Sequence, residues 1–266
     1  MRMCLILIAY RTRADWPLVV AANRDEYYHR PSRSIRFWET APQVLAGQDL
    51  KGGGTWMGVT RTGRFGALTN VRNPAAHQPA APSRGGLVRG FLEGPGDART
   101  HAESPWRERN RYNGFNLILG DGSGLYYLTN GGGTDPARRY LRLSSGVYGL
   151  SNAGLDTPWP KVVRSKRAFQ RVSTAPAIHD GALFAILGDR SHPPDADLPD
   201  TGVGLALERF LSPPFIAGTD YGTRAASVLK MGADGRVVFE ERTFPPGGGA
   251  PDGISRVVFM TKGTPR

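Results

Sequence analysis

The sequence has one cysteine, Cys4, among 266 residues. A single thiol excludes an internal disulfide framework, an all-cysteine zinc site and a CxxC redox pair, and it favours a reducing compartment such as the cytoplasm. The sequence also lacks an apolar run of about 20 residues, which a membrane-spanning helix requires. Residues 3–9 are apolar, but charged residues follow at once and no small-x-small cleavage site is evident, so this segment predicts a buried strand instead of a signal peptide.

Charged residues are scarce as well, at 21% of the chain, and they are unbalanced: 34 Lys and Arg against 23 Asp and Glu give a net charge of +11. The basic residues are spread along the whole chain, and no zinc finger, RNP aromatic set or basic helix accompanies them. We therefore predict weak attraction to anions in general and no nucleic-acid partner. The five histidines stand at no metal-ligand spacing, so no metal site is expected.

Hydrophobic residues make up 39% of the chain, and its 35 glycines and 21 prolines show no Gly-X-Y period, which indicates a folded, turn-rich protein. Apolar patterning predicts strands over residues 3–9, 18–22, 56–60, 65–69, 115–120, 125–129, 147–150, 225–231, 235–242 and 256–261. Helical spacing predicts helices over residues 84–93, 159–172 and 182–187. The elements do not alternate as βαβ units and no shift in composition marks a boundary, so we predict one α+β domain over residues 1–266.

Cys4 is the first candidate for chemistry. If translation starts at Met3 and that methionine is removed, Cys4 becomes the amino-terminal residue. Its α-amine, with a pKa of ~7.7–8, could then accept the proton of the thiol, whose ordinary pKa is ~8.5. The alternative is that Cys4 is only a small hydrophobic residue in a buried strand, which is the commoner fate of a free cysteine.

Four short polar segments flank predicted strands: residues 23–26, 69–74, 149–152 and 221–224. Each combines two or more of Asn, Arg and Gly. Arginine at the end of a buried strand can pair with a carboxylate or receive an anionic ligand. Because Asn and Gly are also standard turn residues, each segment alone could be a simple turn.

Together with Cys4, these segments resemble the signature blocks of the NRDE-motif family, the transport and Golgi organization protein 2 family. Asn23, Arg24, Asp25 and Glu26 form the motif that gives the family its name. Further blocks that match are residues 30–31, 53–58, 84–85, 112–117 and 157–159. The blocks run in family order from near residue 3 to about residue 230.

The resemblance implies an N-terminal-nucleophile (Ntn) hydrolase type of fold, a four-layer αββα sandwich with two antiparallel sheets. It leaves two functions open. One is an Ntn-type cysteine hydrolase that acts on a linear amide or related acyl bond of a small molecule and requires no cofactor. The other is a non-catalytic carrier or chaperone on the same fold, for a hydrophobic anion such as haem or an acyl-CoA-type lipid.

Cysteine Ntn hydrolases of the bile-salt hydrolase and penicillin acylase type imply roles for single residues. The nucleophile is Cys4, the carboxylate that positions the amine is Asp25, the oxyanion-stabilising amides are Asn70 and Asn152, and Arg224 lies near the thiol. Ligand contacts are expected from Asn23, Arg24, Glu26, Trp56 and Arg72. In those hydrolases an arginine precedes the Asn-x-Asp sequence, whereas Ala22 stands there in this chain.

Overall fold

The computed structural model describes residues 3–131 and 140–262, which contain 13 strands in two antiparallel sheets. The six-stranded sheet has, in spatial order, β10 (Gly146–Leu150), β1 (Met3–Tyr10), β2 (Leu18–Tyr27), β11 (Tyr221–Met231), β12 (Arg236–Thr243) and β13 (Gly253–Met260). The seven-stranded sheet has β3 (Ser32–Phe37), β4 (Val44–Asp49), β5 (Met57–Thr60), β6 (Phe65–Asn70), β7 (Phe115–Asp121), β8 (Gly124–Thr129) and β9 (Tyr140–Leu143).

The α-helices within the described ranges are α1 (Gly85–Glu93), α2 (Ala98–Arg107), α3 (Pro160–Ser173), α4 (Asp180–Leu187) and α5 (Leu205–Phe210). Helix α1 buries Leu87, Val88, Phe91 and Leu92, which recur at helical spacing on one face. Helix α3 begins at a proline, whose fixed φ suits the first helical position. None of these helices is long and apolar enough to cross a membrane.

The side chains of the strands alternate between two hydrophobic layers. In β1, Ile6 and Ile8 pack in the core between the sheets, while Leu5 and Leu7 pack against α3 and α4. A third cluster joins α1 and α2 to the outer face of the seven-stranded sheet. The order is therefore helices, sheet, sheet, helices. This four-layer αββα sandwich with two antiparallel sheets confirms the fold that the resemblance implied.

Some elements differ from the sequence-based expectation. Strands β3, β4 and β9 and helices α2 and α5 were not predicted. Strand β3 has only one fully buried side chain, Ile35, so it carries little apolar signal. Helix α2 contains Pro105 and has a polar sequence, two features that argue against a helix when only the sequence is considered.

A buried carboxylate connects the two sheets. Glu241 on β12 is 1% exposed, and its Oε1 accepts a hydrogen bond from the Ile35 amide of β3 at 3.0 Å. Its Oε2 lies 3.5 Å from the Ser227 hydroxyl of β11. Burial raises the pKa of Glu241 to about 7, although the Ile35 amide, the charge of Arg24 and the Ser227 hydroxyl each lower it.

We predict that Glu241→Gln stabilises the protein at alkaline pH. Because the pKa is raised in the folded state, the contribution of Glu241 to stability is fully present below its unfolded pKa and is lost as pH rises through about 7. The substitution should therefore raise the free energy of unfolding by about 3 kcal/mol at pH 8 and by much less at pH 5. Urea denaturation at both pH values measures this difference.

Glu240→Gln is the matched control. Its carboxylate pairs with Arg242 and Arg256, each at 2.9 Å, so neutralising it should give no gain at pH 8. A gain from Glu241→Gln that is equal at pH 5 and pH 8 would contradict the assignment of a buried, ionising carboxylate.

Candidate active site

Residues 23–26 lie inside β2, which runs to Tyr27, and not after the strand as the sequence suggested. The strand continues because β1 and β11 pair with both of its edges. Cys4 is opposite Arg24 in the first pairing, and Thr223 is opposite Asp25 in the second. Alternation then sends the four polar side chains to two sides of the sheet: Arg24 and Glu26 to the gap between the sheets, Asn23 and Asp25 toward the helices.

The backbone of Cys4 is held by the segment that follows β10. The nitrogen of Cys4 donates to Asn152 Oδ1 at 3.1 Å, and the Ser151 hydroxyl donates to the Cys4 carbonyl at 2.9 Å. Asn152 Nδ2 in turn donates to the Asn70 carbonyl at 2.7 Å. The side chain of Asn152 is thus directed to the nitrogen of Cys4, and it is not among the residues that line the cavity around the thiol.

Side chains of the seven-stranded sheet fix this segment in turn. The Thr69 hydroxyl donates to the Ser151 carbonyl at 2.6 Å, and Asn116 Nδ2 donates to Thr69 Oγ1 at 2.9 Å and to the Ala153 carbonyl at 2.7 Å. The Tyr127 hydroxyl donates to Asn116 Oδ1 at 2.8 Å. The network crosses from one sheet to the other, so the position of the Cys4 nitrogen depends on both sheets.

Asp25 is a buried carboxylate, 1% exposed, beside the start of β1. Its Oδ1 accepts a hydrogen bond from the Thr223 hydroxyl at 2.6 Å, and its Oδ2 has no hydrogen-bond partner within the described residues. Burial raises the pKa of Asp25 to about 6, while the positive charges of Lys161 and Arg24 lower it. Asp25 Oδ2 can therefore accept a hydrogen bond from a further donor.

Cys4 is 8% exposed, and it lines a cavity of about 50 Å³. Arg24, Glu26, Asp49, Trp56, Asn70 and Arg84 are among the residues that share this cavity. The pKa of the thiol is raised to about 12, mainly by burial and secondly by the negative charge of Asp25. A hydrogen bond from the Asp25 backbone and the charge of Arg24 act in the opposite direction. With residue 3 attached, the thiol is therefore protonated at neutral pH.

Arg24 lies over an aromatic ring in this cavity. Its guanidinium carbon is 4.3 Å from the centroid of Trp56, and its Nη2 is 3.8 Å from Glu26 Oε2. The indole reaches this place because residue 47 is glycine: a Cβ there would lie 2.3 Å from the Trp56 ring. The cation and the half-buried ring therefore lie together in the lining of the thiol cavity.

A larger cleft of about 940 Å³ adjoins the cavity, since Glu26, Asn70, Ser83 and Arg84 line both. The cleft is also lined by His29, Arg30, Lys51, Arg72 and His77. Glu26 is the one carboxylate among the residues that line it. The lining of the outer cleft therefore has more cationic than anionic side chains, although Arg30 pairs with Asp49 and Arg72 pairs with Glu208. This excess of positive charge suits a ligand with a negative charge.

Three of the predicted site residues have other partners. Asn23 donates from Nδ2 to the Leu187 and Pro214 carbonyls, both at 2.8 Å. Arg72 forms a buried ion pair with Glu208 and faces the Trp159 ring, although it also lines the cleft. Arg224 is the extra residue of a β-bulge between Thr223 and Ala225, and its guanidinium donates to the Tyr27 and Arg30 carbonyls. Arg224 does not line the thiol cavity.

Two buried residues that the sequence analysis did not select act on Asp25: Thr223 through a hydrogen bond, and Lys161 through its positive charge, which lowers the pKa of Asp25. Thr223 lies in the polar segment 221–224, but no feature of the sequence distinguishes it from its neighbours as a site residue. Lys161 follows Pro160 in the predicted helix, where charged residues usually face water. Within the described ranges, no group of three His, Cys, Asp or Glu side chains is placed to hold a metal ion.

The chain matches the family model of Transport and Golgi organisation 2 over residues 3–246. It belongs to this family. Among the relatives, the transport and Golgi organization protein 2 homologues of cattle and human are 36% and 35% identical over 261 residues, which cover 91% of this chain and 93% of each relative. The transport and Golgi organization protein 2 of Drosophila melanogaster is 24% identical over 275 residues and covers 91% of this chain and 92% of the fly protein.

Two solved structures also align with this chain. One is the Caenorhabditis elegans orthologue of N-acylethanolamine-hydrolyzing acid amidase, at 10% identity and a TM-score of 0.45, covering 85% of this chain and 92% of the nematode protein. The other is a mutant conjugated bile acid hydrolase from Clostridium perfringens, at 9% identity and a TM-score of 0.42, covering 98% and 97%.

Proposed function

We propose that the protein is an Ntn-type cysteine hydrolase that cleaves a linear amide or related acyl bond of a small molecule, with Cys4 as nucleophile. The proposal requires that Cys4 is the first residue of the mature chain. The observation that carries it is the environment of the Cys4 nitrogen. This nitrogen donates a hydrogen bond to Asn152 Oδ1 at 3.1 Å, and Oδ2 of the neighbouring Asp25 accepts no hydrogen bond within the described residues. These are the acceptors that an α-ammonium group needs.

The register of β1 supports this requirement. Met3 is paired with Asp25, so removal of Met3 vacates the position opposite that carboxylate. The nitrogen of Cys4 would change from an amide with one hydrogen to an ammonium group with three, so it could donate two more hydrogen bonds. The side-chain oxygens of Asp25 and Asn152 are the candidate acceptors. We therefore assign amine positioning to both Asp25 and Asn152, and we leave Asn70 as the candidate oxyanion donor. Asn70 lines the thiol cavity and makes no side-chain hydrogen bond within the described residues.

The chemistry then runs in two steps. The sulfur of Cys4 bonds to the acyl carbon while the thiol proton passes to the α-amine, and the oxyanion accepts a hydrogen bond from Asn70. The C–N bond of the substrate breaks as the leaving amine takes that proton, which leaves a thioester. Water next adds to the thioester and gives a proton to the α-amine. The C–S bond breaks, the acid product departs and the sulfur regains the proton.

The test begins with protein expressed so that Cys4 is amino-terminal, as verified by intact mass. A panel of N-acyl amides with neutral and anionic groups is then assayed by mass spectrometry, with Cys4→Ala as the control. Hydrolysis that disappears in Cys4→Ala supports the proposal. If Cys4 is terminal and no amide or ester of the panel is cleaved above the control, the hydrolase assignment fails.

A second candidate is a carrier for haem or an acyl-CoA-type lipid. Two observations favour it: a thiol pKa of about 12 describes an inert cysteine, and the basic cleft contains His29 and His77, whose imidazoles are suitable ligands for haem iron. Titration with haem, followed by absorbance, distinguishes the two. A saturable change at micromolar protein supports the carrier, and no change removes its haem version. Either function is assigned to the cytoplasm, where a reducing medium keeps the single thiol free.

A further inference from the structure

A second cavity, of about 390 Å³, lies on the helix-covered face of the six-stranded sheet. Its lining comes from α4, β11, β12 and the segment that follows β12. Among the described residues, none that lines it also lines the thiol cavity or the basic cleft. Small-molecule sites usually have volumes of about 300–1,000 Å³, so this cavity is large enough for a ligand. The proposed chemistry of Cys4 does not use it.

Small residues keep this cavity open. Gly181, Ala185 and the C-cap residue Gly188 follow one another at spacings of four and three residues, which places them on one face of α4. Ala226 of β11 lines the cavity on the side of the sheet. A long side chain at any of these positions would occupy part of the space. The small residues explain the shape of the cavity, whereas its chemistry depends on the larger side chains around it.

Three phenylalanine rings supply the apolar lining. Phe184 and Phe215 are 7% and 2% exposed, and the ring of Phe244 meets that of Phe215 edge to face, with centroids 4.9 Å apart. The backbone holds two of these residues in place. The Phe215 amide donates to the Asp189 carbonyl at 2.9 Å, and the Phe244 amide donates to the Arg224 carbonyl at 3.0 Å. The aromatic lining is therefore fixed by the fold itself.

Two arginines stack on this aromatic lining. The guanidinium carbon of Arg242 lies 3.8 Å from the ring centroid of Phe184, and that of Arg190 lies 4.5 Å from the ring centroid of Phe215. Both arginines line the cavity. A stacked guanidinium is already oriented, so it loses less freedom when it binds an anion.

The positive charge of Arg190 is available to a ligand. Its guanidinium donates to the Gly248 carbonyl and makes no ion pair in the part of the chain that the structure describes. Arg242, by contrast, donates to Glu240 Oε1 from Nε at 3.0 Å and lies 2.9 Å from the same oxygen through Nη2. None of the described residues that line the cavity is acidic. An anion would therefore meet a cation there and no competing carboxylate.

Carboxylates that are adjacent in sequence to the lining have partners of their own. Asp180 pairs with Lys230 at 2.5 Å, and Asp189 pairs with Arg164 at 2.8 Å. Asp252 accepts a hydrogen bond from a threonine hydroxyl at 2.7 Å. These contacts hold the three carboxylates outside the lining of the cavity.

We propose that this cavity is a second binding site, for a small aromatic carboxylate whose carboxylate pairs with Arg190 and whose ring packs among the phenylalanine side chains. A guanidinium and a carboxylate can form two parallel hydrogen bonds, which suits a ligand with a single negative charge. A phosphate dianion fits less well, because the second guanidinium is already bonded to Glu240. A ring is favoured over an alkyl chain, because aromatic pairs gain stability beyond their buried area.

The experiment measures binding of 3-phenylpropionate to the full chain by isothermal titration calorimetry at neutral pH and about 0.15 M salt. We expect saturable binding of one molecule per chain. The uncharged 3-phenylpropionamide should bind at least about tenfold more weakly, because hydrogen bonds to charged groups are the stronger ones. The acid 3-cyclohexylpropionate has the same charge and no aromatic ring, and it should also bind more weakly.

Three variants locate the site, and circular dichroism checks that each is folded. Arg190→Gln can still donate to the Gly248 carbonyl but has no charge, so the affinity should fall at least about tenfold. Ala185→Phe fills the cavity from an exposed position of α4 and should abolish binding. Arg167→Gln removes a cation from an exposed position of α3 outside the cavity and should leave the affinity unchanged. Arg190→Gln decides the question if Ala185→Phe does not fold.

Binding that is lost in Arg190→Gln and Ala185→Phe and retained in Arg167→Gln supports the site. Binding that survives both of the first two variants belongs to another part of the protein, such as the basic cleft, and overturns the proposal. No saturable binding at about 10 mM acid overturns it as well. Equal affinity for the amide would show that the charge of Arg190 is not used, and equal affinity for the cyclohexyl acid would remove the preference for a ring. None of these results depends on hydrolysis by Cys4, so the two proposals can fail separately.

Discussion

Removing residues 1–3, so that Cys4 becomes the first residue, should raise its rate of alkylation at pH 7 at least about a hundredfold. While residue 3 is attached, the nitrogen of Cys4 is an amide and cannot accept a proton. A pKa of about 12 then leaves only about one thiol in 10⁵ ionised at pH 7. A free α-amine, whose pKa is ~7.7–8, can take the thiol proton and leave a thiolate beside an ammonium group.

The measurement compares two forms of the protein, one with residues 1–3 and one beginning at Cys4, each verified by intact mass. Both are treated with iodoacetamide in buffer and again in urea. In urea the rates should agree to within a few-fold, because the environment of the folded site is lost. Equal rates in buffer as well would show that the amino group does not activate Cys4, and the amine-base mechanism would then be wrong.

Much of this fold could be predicted from local patterns in the sequence. Apolar runs located β1, β7 and β11, and helical spacing located α1, α3 and α4, because each of these elements buries a continuous apolar face. Strand β3 at a sheet edge and helix α2 escaped because their sequences are polar, and β4, β9 and α5 escaped because they are only four to six residues long. Short or polar segments show no clear local periodicity.

The site was predictable as a set of segments but not as a geometry. Four successive polar residues usually leave the core, so residues 23–26 predict the end of a strand. The structure keeps them inside β2, since Thr223, Leu187 and Trp56 provide partners on both faces. Arg224 shows a similar limit: a one-residue bulge in β11 changes its direction, and no feature of the sequence indicates that register shift.

Lys161 was the largest omission. Trp159, Val162 and Phe169 predicted the buried face of α3, and a lysine beside them is ordinarily a solvent-exposed residue. Its burial accompanies a contact with Leu211, whose carbonyl accepts a hydrogen bond from Lys161 Nζ and which lies 50 positions after it in the chain. Tertiary contacts of this kind leave no pattern within a single segment.

Asp25→Asn should have opposite effects on stability and on reactivity. The pKa of Asp25 is raised from 3.8 to about 6, mainly by burial. Because the pKa is raised in the folded state, the contribution of Asp25 to the stability of the fold is fully present below about pH 4. This contribution is lost as pH rises through about 6. Asparagine is neutral at every pH and can still accept the Thr223 hydroxyl. We therefore expect the free energy of unfolding at pH 7.5 to rise by about 1–3 kcal/mol.

The same substitution removes the charge that would hold the amino group of Cys4. In protein with an amino-terminal Cys4, the alkylation rate at pH 7 should fall about a hundredfold, since an amide stabilises an ammonium group far less than a carboxylate does. Asp180→Asn is the control: its carboxylate pairs with Lys230 and Arg256 away from the thiol cavity, so it should cost stability and leave alkylation unchanged. Urea denaturation and alkylation are measured on each variant. If Asp25 serves the site through its charge, Asp25→Asn must raise the stability of the fold and lower the reactivity of the thiol. A less stable Asp25→Asn protein that retains full reactivity would contradict both expectations and would show that Asp25 has a structural role.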